Sequence, residues 1–600
     1  MLIYGVANNT YHKNENIGWS VPNYWDAVAL ALIVAIFAVL GWTAMQMATP
    51  YNVGQAIPIS LSPRSLPVYA MRTVLRMFIA LFCSLIFTFV FGAVAAKNKK
   101  AERIIIPLID VLQSIPVLSF LSISVAGFIL LFRGSLLGPE CAAIFAIFTS
   151  QVWNMTLSFY QSVKSVPKDL REVTAIYQLS SWQKFWRLEV PYAMPGLLWN
   201  MMMSMSGSWF FVVASEAISV ANQHINLPGI GSYIAVAIAH ADKTAIYYAI
   251  GAMLIVILLY DQLLFRPLVQ WSEKFKFDEV LDERISRSWV VNLFQRTRVL
   301  RQVSVLFYLL FDKFVNINYL LKRHSSFFQH HLRGRQDPGA DKKKNLKYFF
   351  VKWKIIPLLG DLIVFALFVM LLFYLWHFLV DFVTWHDVAR TFVLGSVTAL
   401  RVLVLIFLCS LIWVPVGVWI GFRPRLTEFI QPIIQFLAAF PANLVFPIVA
   451  LWIVKYKLDV NIWTSPLMVL GTQWYILFNV IAGASAIPEE VRLVSKNLGV
   501  KGFVKWRRLI LPAIMPFFVT GAITAAGGAW NASILAEAIN WGNIKLNAVG
   551  LGAYITHYTR VGNFPHVILG TAVMCLFVLV INRILWRPLY NLAIERFKVN

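Results

Sequence analysis

Apolar positions run along this chain in long, nearly charge-free stretches such as Trp25–Met47, Met77–Ala96, Leu358–Val380 and Leu400–Ile420. Roughly 20 apolar residues, each rising about 1.5 Å, cross a bilayer core of about 30 Å. The stretches therefore read as membrane-spanning helices. The pattern places six spans in the first half, near residues 25–47, 71–96, 104–132, 137–163, 193–220 and 244–268. It places six more in the second half, near 357–380, 394–421, 430–454, 465–487, 513–539 and 564–589. The prediction is an all-α polytopic membrane protein of about 12 transmembrane helices.

The polar stretches between the spans repeat. Pro167–Pro191 reads PKDLREVTAIYQLSSWQKFWRLEVP, and Pro488–Pro512 reads PEEVRLVSKNLGVKGFVKWRRLILP. At a shift of 321 residues Arg171 falls on Arg492, Lys184 on Lys505, Arg187 on Arg508 and Leu188 on Leu509. The same shift pairs Trp209 with Trp530, Glu216 with Glu537, Gly229 with Gly550, Gly231 with Gly552 and Arg266-Pro267-Leu268 with Arg587-Pro588-Leu589. Upstream the shift is 325: Thr73-Val-Leu-Arg76 matches Thr398-Ala-Leu-Arg401, and Pro116 matches Pro441. A small deletion in the second copy, between Pro441 and Pro488, accounts for the change. Self-similarity at a fixed period marks a duplicated unit. An even number of spans gives both copies the same orientation, so the units are parallel repeats about an axis along the membrane normal. The expected division is a first unit at 1–270, a linker at 271–355 and a second unit at 356–600.

Composition agrees with the membrane reading. The chain is 59% hydrophobic and 13% charged, against about 25% charged for a soluble domain. Its net charge of +24 gathers in loops, as the positive-inside rule expects, and no nucleic-acid motif accompanies it. Lys97, Lys99, Lys100 and Arg103, the 164–187 loop, Arg423, Arg425 and the 492–508 loop all belong in the cytoplasm. Both termini then lie inside. Cys83, Cys141, Cys409 and Cys575 all fall in apolar spans without close pairing in sequence, so neither a disulfide framework nor a metal site is indicated. Residues 1–24 are mostly polar and the first apolar run is long enough to stay in the bilayer, unlike a cleavable signal peptide.

The linker holds 18 Lys/Arg against 8 Asp/Glu. Its stretch Trp289–Lys322 reads as one or two amphipathic helices on the inner membrane surface, and the Arg333–Lys344 tract as a mobile connector. A thirteenth span there would flip the second unit and put its basic loop outside, so that reading is rejected.

The loop between spans four and five is long, basic, amphipathic and bounded by Pro at both ends. A basic hairpin that merely anchors the protein would share this character in both copies, but not the same gapless spacing. Here the chain resembles the permeases of type I ATP-binding-cassette importers. Their coupling loop reads roughly Glu-Ala-Ala, three residues, Gly, nine residues, Ile-x-Leu-Pro. In the first copy Glu172-Val-Thr stands at Glu-Ala-Ala, Gln178 at the Gly and Leu188-Glu-Val-Pro191 at the end. In the second copy Leu493-Val-Ser replaces Glu-Ala-Ala, while Gly499 and Leu509-Ile-Leu-Pro512 keep the rest. The next span, with its Trp, its outer Glu and a Gly-x-Gly-x-Tyr-Ile loop, looks like the nitrate, sulfonate, taurine and bicarbonate branch. The resemblance leaves the linker and the first span of each unit uncovered.

The resemblance implies two tandem six-helix MetI-like permease units. It implies coupling loops docking on two separate ATP-binding cassette subunits, with Arg171, Glu172, Gln178, Trp182, Arg187, Arg492, Gly499, Phe503 and Arg508 as the residues concerned. ATP and Mg would be bound by those partners; no cofactor is expected in this chain, nor any enzymatic site of its own. A periplasmic or lipid-anchored substrate-binding protein is a further implied partner. The sequence is consistent with this: a phosphate-binding loop needs Gly-x-x-x-x-Gly-Lys-[Ser/Thr], and the dipeptide Gly-Lys does not occur.

A substrate path is expected beside Ser208, Trp209, Glu216, Trp530, Asn531 and Glu537. A carboxylate in a span is costly and faces a cavity or a partner group. Glu216 and Glu537 therefore either cap a backbone or pair with a base, or they line the path; both remain open. The outer loops carry His224, His240, Lys243, Lys545, His557 and Arg560 against Asp242. A positive mouth favours an anionic solute, and it equally suits an acidic lobe of a binding protein. The main rival is an ion-coupled secondary transporter with two six-helix halves. It requires ionisable residues in mid-span, whereas Asp110, Asp261 and Asp361 sit nearer span ends. A membrane scaffold or enzyme has no nucleophile elbow, metal cluster or phosphate loop to support it.

Overall fold

The computed structural model describes residues 24–47, 49–50, 57–220, 223–272, 382–542 and 544–597, with scattered positions of 275–377 that include 289–291 and 309–316. The expected span at 357–380, the Arg333–Lys344 tract and most of the linker lie outside the described residues.

Among the described residues seven helices are long and apolar enough to cross a membrane, and up to ten if each of three bent pairs is one span. A 24-residue helix, Tyr24–Met47, coincides with the first expected span. The first unit continues with Pro63–Lys97, the bent pair Lys99–Gln113 and Val117–Leu131, then Leu137–Ser165, Ser181–Glu216 and Lys243–Ser272. The second repeats the order with Trp385–Gly421, the bent pairs Pro424–Ala439 with Ala442–Lys455 and Val460–Met468 with Gln473–Ser485, then Gly502–Ala536 and Phe564–Ala593.

The third expected span of each unit is not one straight helix. It turns by 92° in the first unit and by 67° in the second. The turns fall at Ile115-Pro116 and Phe440-Pro441, where the residue before proline is extended (ψ 121° and 124°). Clash with the proline Cδ excludes the helical region for that residue. Proline also explains a repeated irregularity in the long helices. Each of the π turns Phe185–Glu189, Asp261–Phe265, Trp506–Ile510 and Asn582–Trp586 ends two residues before a proline. The missing proline N–H leaves one helical carbonyl without its donor, and a widened turn accommodates this.

The fourth helix breaks the symmetry. Leu137–Ser165 is continuous in the first unit. Its counterpart passes through a short 3-10 turn, Ser465–Met468, and bends by 42° before Gln473. Pro466 and Gly471 stand where the first unit has Phe145 and Ser150, and neither favours a helix interior.

Beyond the fifth helix each unit carries a two-stranded antiparallel hairpin that the apolar pattern did not foretell, Ala217–Val220 with Gln223–Asn226 and Ala538–Trp541 with Ile544–Asn547. One buried core runs through both units. Polar bonds also cross between them. Val117 N donates to Asn531 Oδ1 (2.7 Å), Asn443 Nδ2 to the Phe210 carbonyl (3.3 Å), and Thr571 Oγ1 to the Ser119 carbonyl (3.2 Å). Beside the strand hairpins Gly542 N donates to the Ile238 carbonyl (2.9 Å).

Candidate functional site

The two loops between spans four and five fold into matching helical hairpins. In the first, helix Lys168–Ile176 starts at Pro167 and ends in a left-handed cap at Gln178 (φ 49°). In the second, Glu489–Asn497 starts at Pro488 and ends at Gly499 (φ 66°). The capping bonds coincide: Gln178 N to the Ala175 carbonyl and Leu179 N to that of Thr174, then Gly499 N to Lys496 and Val500 N to Ser495. This is the helix-ending geometry that glycine adopts without a Cβ penalty. Gly499 therefore suits the turn, and Gln178 holds it against its preference.

Arg171 and Arg492 fasten the hairpins to the preceding span. Arg171 donates to the Val163 and Lys164 carbonyls, and Arg492 to that of Ile487. A cation there meets carbonyls that the helix end leaves unpaired. The second helix of each hairpin runs unbroken into span five, giving Ser181–Glu216 and Gly502–Ala536. Ser180 and Gln183 form a capping box at its start in the first unit. Movement of a hairpin is thus movement of a lever 35 or 36 residues long. The tips present apolar side chains to water: Val173, Ile176 and Tyr177 in one, Leu493, Val494 and Leu498 in the other. Glu172 is exposed beside them, as are Arg187, Phe503 and Arg508 further along.

At the end of the levers away from the tips Glu216 and Glu537 are fully buried. Glu216 accepts from Thr73 Oγ1 (2.6 Å), Arg76 (2.6 Å) and Gly231 N (2.7 Å). Arg76 also forks onto Glu140 at 2.6 and 2.7 Å. Glu537 accepts from Thr398 Oγ1 (2.8 Å), Arg401 (3.3 Å), Gly552 N (2.7 Å) and Ala553 N (3.2 Å). Each carboxylate therefore caps backbone and pairs with a base, tying span two to the loop after the hairpin. The Gly-x-Gly of that loop follows from space. A Cβ at Gly229 or Gly550 would overlap the glutamate, and one at Gly231 or Gly552 would overlap the backbone of span five. Sequence reasoning matched Thr73 and Arg76 to Thr398 and Arg401 without joining them to the glutamates. The repeated Thr-x-x-Arg inside an apolar run was the available signal. Glu140 was missed, and its repeat position, Asn461, offered no matching acid.

A cavity of about 60 Å³ lies between the units, lined among others by Ser206, Gly207, Phe210, Phe440, Thr472 and Tyr475. Asn531 sits at the unit boundary through its bond to Val117. The other path candidates pack elsewhere. Ser208 bonds to Ser150 (2.8 Å), Trp209 packs edge-on against Tyr260, and Trp530 is buried. The break in the fourth helix of the second unit supplies Leu467, Met468, Gly471 and Thr472 to the cavity wall. Its Pro466 and Gly471 were the sequence signal for that asymmetry.

The family model for the inner membrane component of binding-protein-dependent transport systems matches residues 88–266 and again 413–586. The chain belongs to this family. It carries the family's unit twice, in tandem, each match spanning the third, fourth and fifth helices and the hairpin between the last two. Among curated relatives, the nitrate import permease protein NrtB of Synechocystis sp. is 25% identical over 218 residues, 35% of this chain and 74% of the relative. NrtB of Leptolyngbya laminosa is 29% identical over 19% of this chain and 38% of the relative. The bicarbonate transport system permease protein CmpB of Synechocystis sp. is 29% identical over 25% of this chain and 50% of the relative. The chain thus spans three-quarters of the first relative and half or less of the other two. As a multi-pass permease of the ATP-binding-cassette importer family it holds two copies of the unit in one polypeptide.

Proposed function

We propose that this chain is the complete membrane path of an importer driven by two separate ATP-binding cassette subunits. Each subunit docks on one hairpin tip and binds the ATP and Mg. The observation that carries the reading is the pair of hairpins with matching caps, each with an exposed apolar tip and each continuous with a lever into the membrane. Closure of the ATPases moves the tips, and the levers pass that movement on as a rigid-body rotation. Arg171, Arg492, Gln178 and Gly499 set the shape of the hairpins, Glu172, Phe503 and Arg508 stand exposed on them, and Trp182 and Arg187 lie on the face that meets the linker. The solute passes between the units at the cavity walled by Ser206, Phe210, Thr472 and Tyr475, while Asn531 stands on the same unit boundary through its bond to Val117. A small oxyanion fits hydroxyl donors set among apolar walls, and the nitrate and bicarbonate permeases among the relatives support that class. A binding protein delivers the solute to the outer face of the inner membrane.

Affinity purification in mild detergent tests this reading. Two ATPase chains should accompany each copy of the permease. Tyr177→Asp and Leu498→Asp, which put a charge on an apolar docking tip, should each release one. Uptake by the lone chain in liposomes under an ion gradient would overturn the reading in favour of a secondary transporter.

A further inference from the structure

The two hairpins differ in what covers the helix that leads from tip to lever. In the first unit, residues 309–315 of the linker are helical and lie on that helix. Trp182 Nε1 donates to the Phe314 carbonyl (3.1 Å), and Gln183 Nε2 to Asn316 Oδ1 (2.9 Å). Arg187 pairs with Asp312 at 2.8 Å. Phe311 and Phe314 meet Trp186 with ring centroids 5.7 and 5.8 Å apart, and Phe314 meets Trp182 at 5.2 Å. The four receiving residues, Trp182, Gln183, Trp186 and Arg187, occupy one face at helical spacing. Their repeat positions are Phe503, Val504, Arg507 and Arg508. The amide donor and both indoles are missing there, and Phe503 stands 77% exposed. The receiving face is specific to the first unit, and among the described residues a segment fills it there alone.

We propose that the linker segment 309–316 is a built-in partner of the first coupling hairpin, bracing the elbow where tip joins lever, while the second elbow is left to pivot. The proposal rests on the coupling reading given above. The brace does not compete with an ATPase for the tip: Val173, Ile176 and Tyr177 remain exposed on the other helix of the hairpin. The ion pair alone holds little, because both its side chains are about two-fifths exposed and such pairs are weak. The three aromatic contacts add more. Covalent attachment supplies the remainder, since tethering converts docking into an intramolecular event at an effective concentration of about millimolar. Leu309 and Leu310 face outward beside the contact, as suits a segment lying at the inner membrane surface. The first lever therefore moves together with the linker, and the second moves at its own elbow.

Hydrogen–deuterium exchange on the full-length chain with its ATPases bound tests the brace. Amides of 181–187 should exchange more slowly than those of 502–508. Phe314→Ala should speed the first set about tenfold, the loss expected from removing an aromatic cluster. Asp312→Arg should speed it by about two- to fivefold, as suits an exposed ion pair, and both should leave the second set unchanged. Asp312→Arg combined with Arg187→Asp should restore protection. ATP turnover of the assembled complex should fall in the single variants and recover in the charge swap. Equal protection of both elbows in the natural chain, or a first elbow indifferent to the linker variants, overturns the brace. Altered exchange with unchanged turnover reduces it to a structural contact and overturns its part in coupling. The coupling reading fails separately: it falls if Tyr177→Asp and Leu498→Asp leave both ATPases bound, while the exchange data still decide whether the segment is seated.

Discussion

The buried glutamate anchors of the two units share a plan and differ in charge. In the first, Arg76 holds two glutamates at ion-pair distance, and Arg72 lies one turn away within electrostatic reach of Glu140. In the second, Arg401 meets one glutamate at 3.3 Å, Asn461 replaces Glu140, and Val397 replaces Arg72. Both sites are neutral in sum: two bases with two acids, or one with one. The second unit has one acid and one base fewer than the first. Burying an unpaired charge costs several kcal/mol, so divergence at such a site proceeds in compensated steps. The Thr and the two glycines remain because they serve the one glutamate that both anchors keep.

The largest expected effect separates the anchors directly. Arg76→Ala strands two buried carboxylates, and removing one partner of a buried pair costs about 3–5 kcal/mol. Arg401→Ala strands one, which keeps its bonds to Thr398, Gly552 and Ala553, and should cost about 1–3 kcal/mol. Thermal unfolding of the purified chain in detergent measures both. Equal losses would break the comparison, since they would mean that the second acid in the first anchor adds nothing to what Arg76 holds.

A smaller effect tests compensation. Glu140→Asn leaves two bases against one acid and should lower stability by about 1–3 kcal/mol. Adding Arg72→Val should recover part of the loss, because the pair then matches the composition of the second anchor. In the second unit Asn461→Glu should destabilise, and Val397→Arg beside it should restore. The four variants of each unit form a double-mutant cycle whose interaction term reads the coupling. Strict additivity would show that the two sites diverged independently.

How far the sequence reached follows from the same contrast. Spans, duplication and hairpin spacing were legible, because hydrophobic runs and repeated polar residues are local signals that burial imposes everywhere along the chain. The Glu216 and Glu537 anchors were half legible: the acids stood out in apolar runs, but their partners lie about 140 residues away, beyond any local pattern. The path was the least legible. Ser208 and Trp209 drew notice as polar and aromatic residues in a span, yet the helix turns them into the interior of their own unit. Ser206, Gly207 and Phe210, neighbours on the adjacent face, line the cavity instead. Which face of an apolar helix meets the other unit is decided by packing, and a helix apolar all round does not announce it.

The smallest effect sharpens the comparison at the hairpin tips. Gln178 and Gly499 occupy the same left-handed turn, which costs a residue bearing a Cβ about 1–2 kcal/mol relative to glycine. Gln178→Gly should therefore stabilise the first hairpin by up to about 1 kcal/mol, part of the gain being returned through the greater freedom of glycine in the unfolded chain. Gly499→Gln should weaken the second by a similar amount; space is not the obstacle, since no atom lies within 4 Å of a Cβ built there. Exchange of the cap amides at Leu179 and Val500 reads each change locally, where global unfolding would miss it. If the strained turn helps set the first hairpin apart, Gln178→Gly alters ATP turnover while Gly499→Gln acts on the opposite hairpin. Unchanged turnover in both would leave the linker contact at Trp182, Trp186 and Arg187 as the feature that distinguishes the two hairpins.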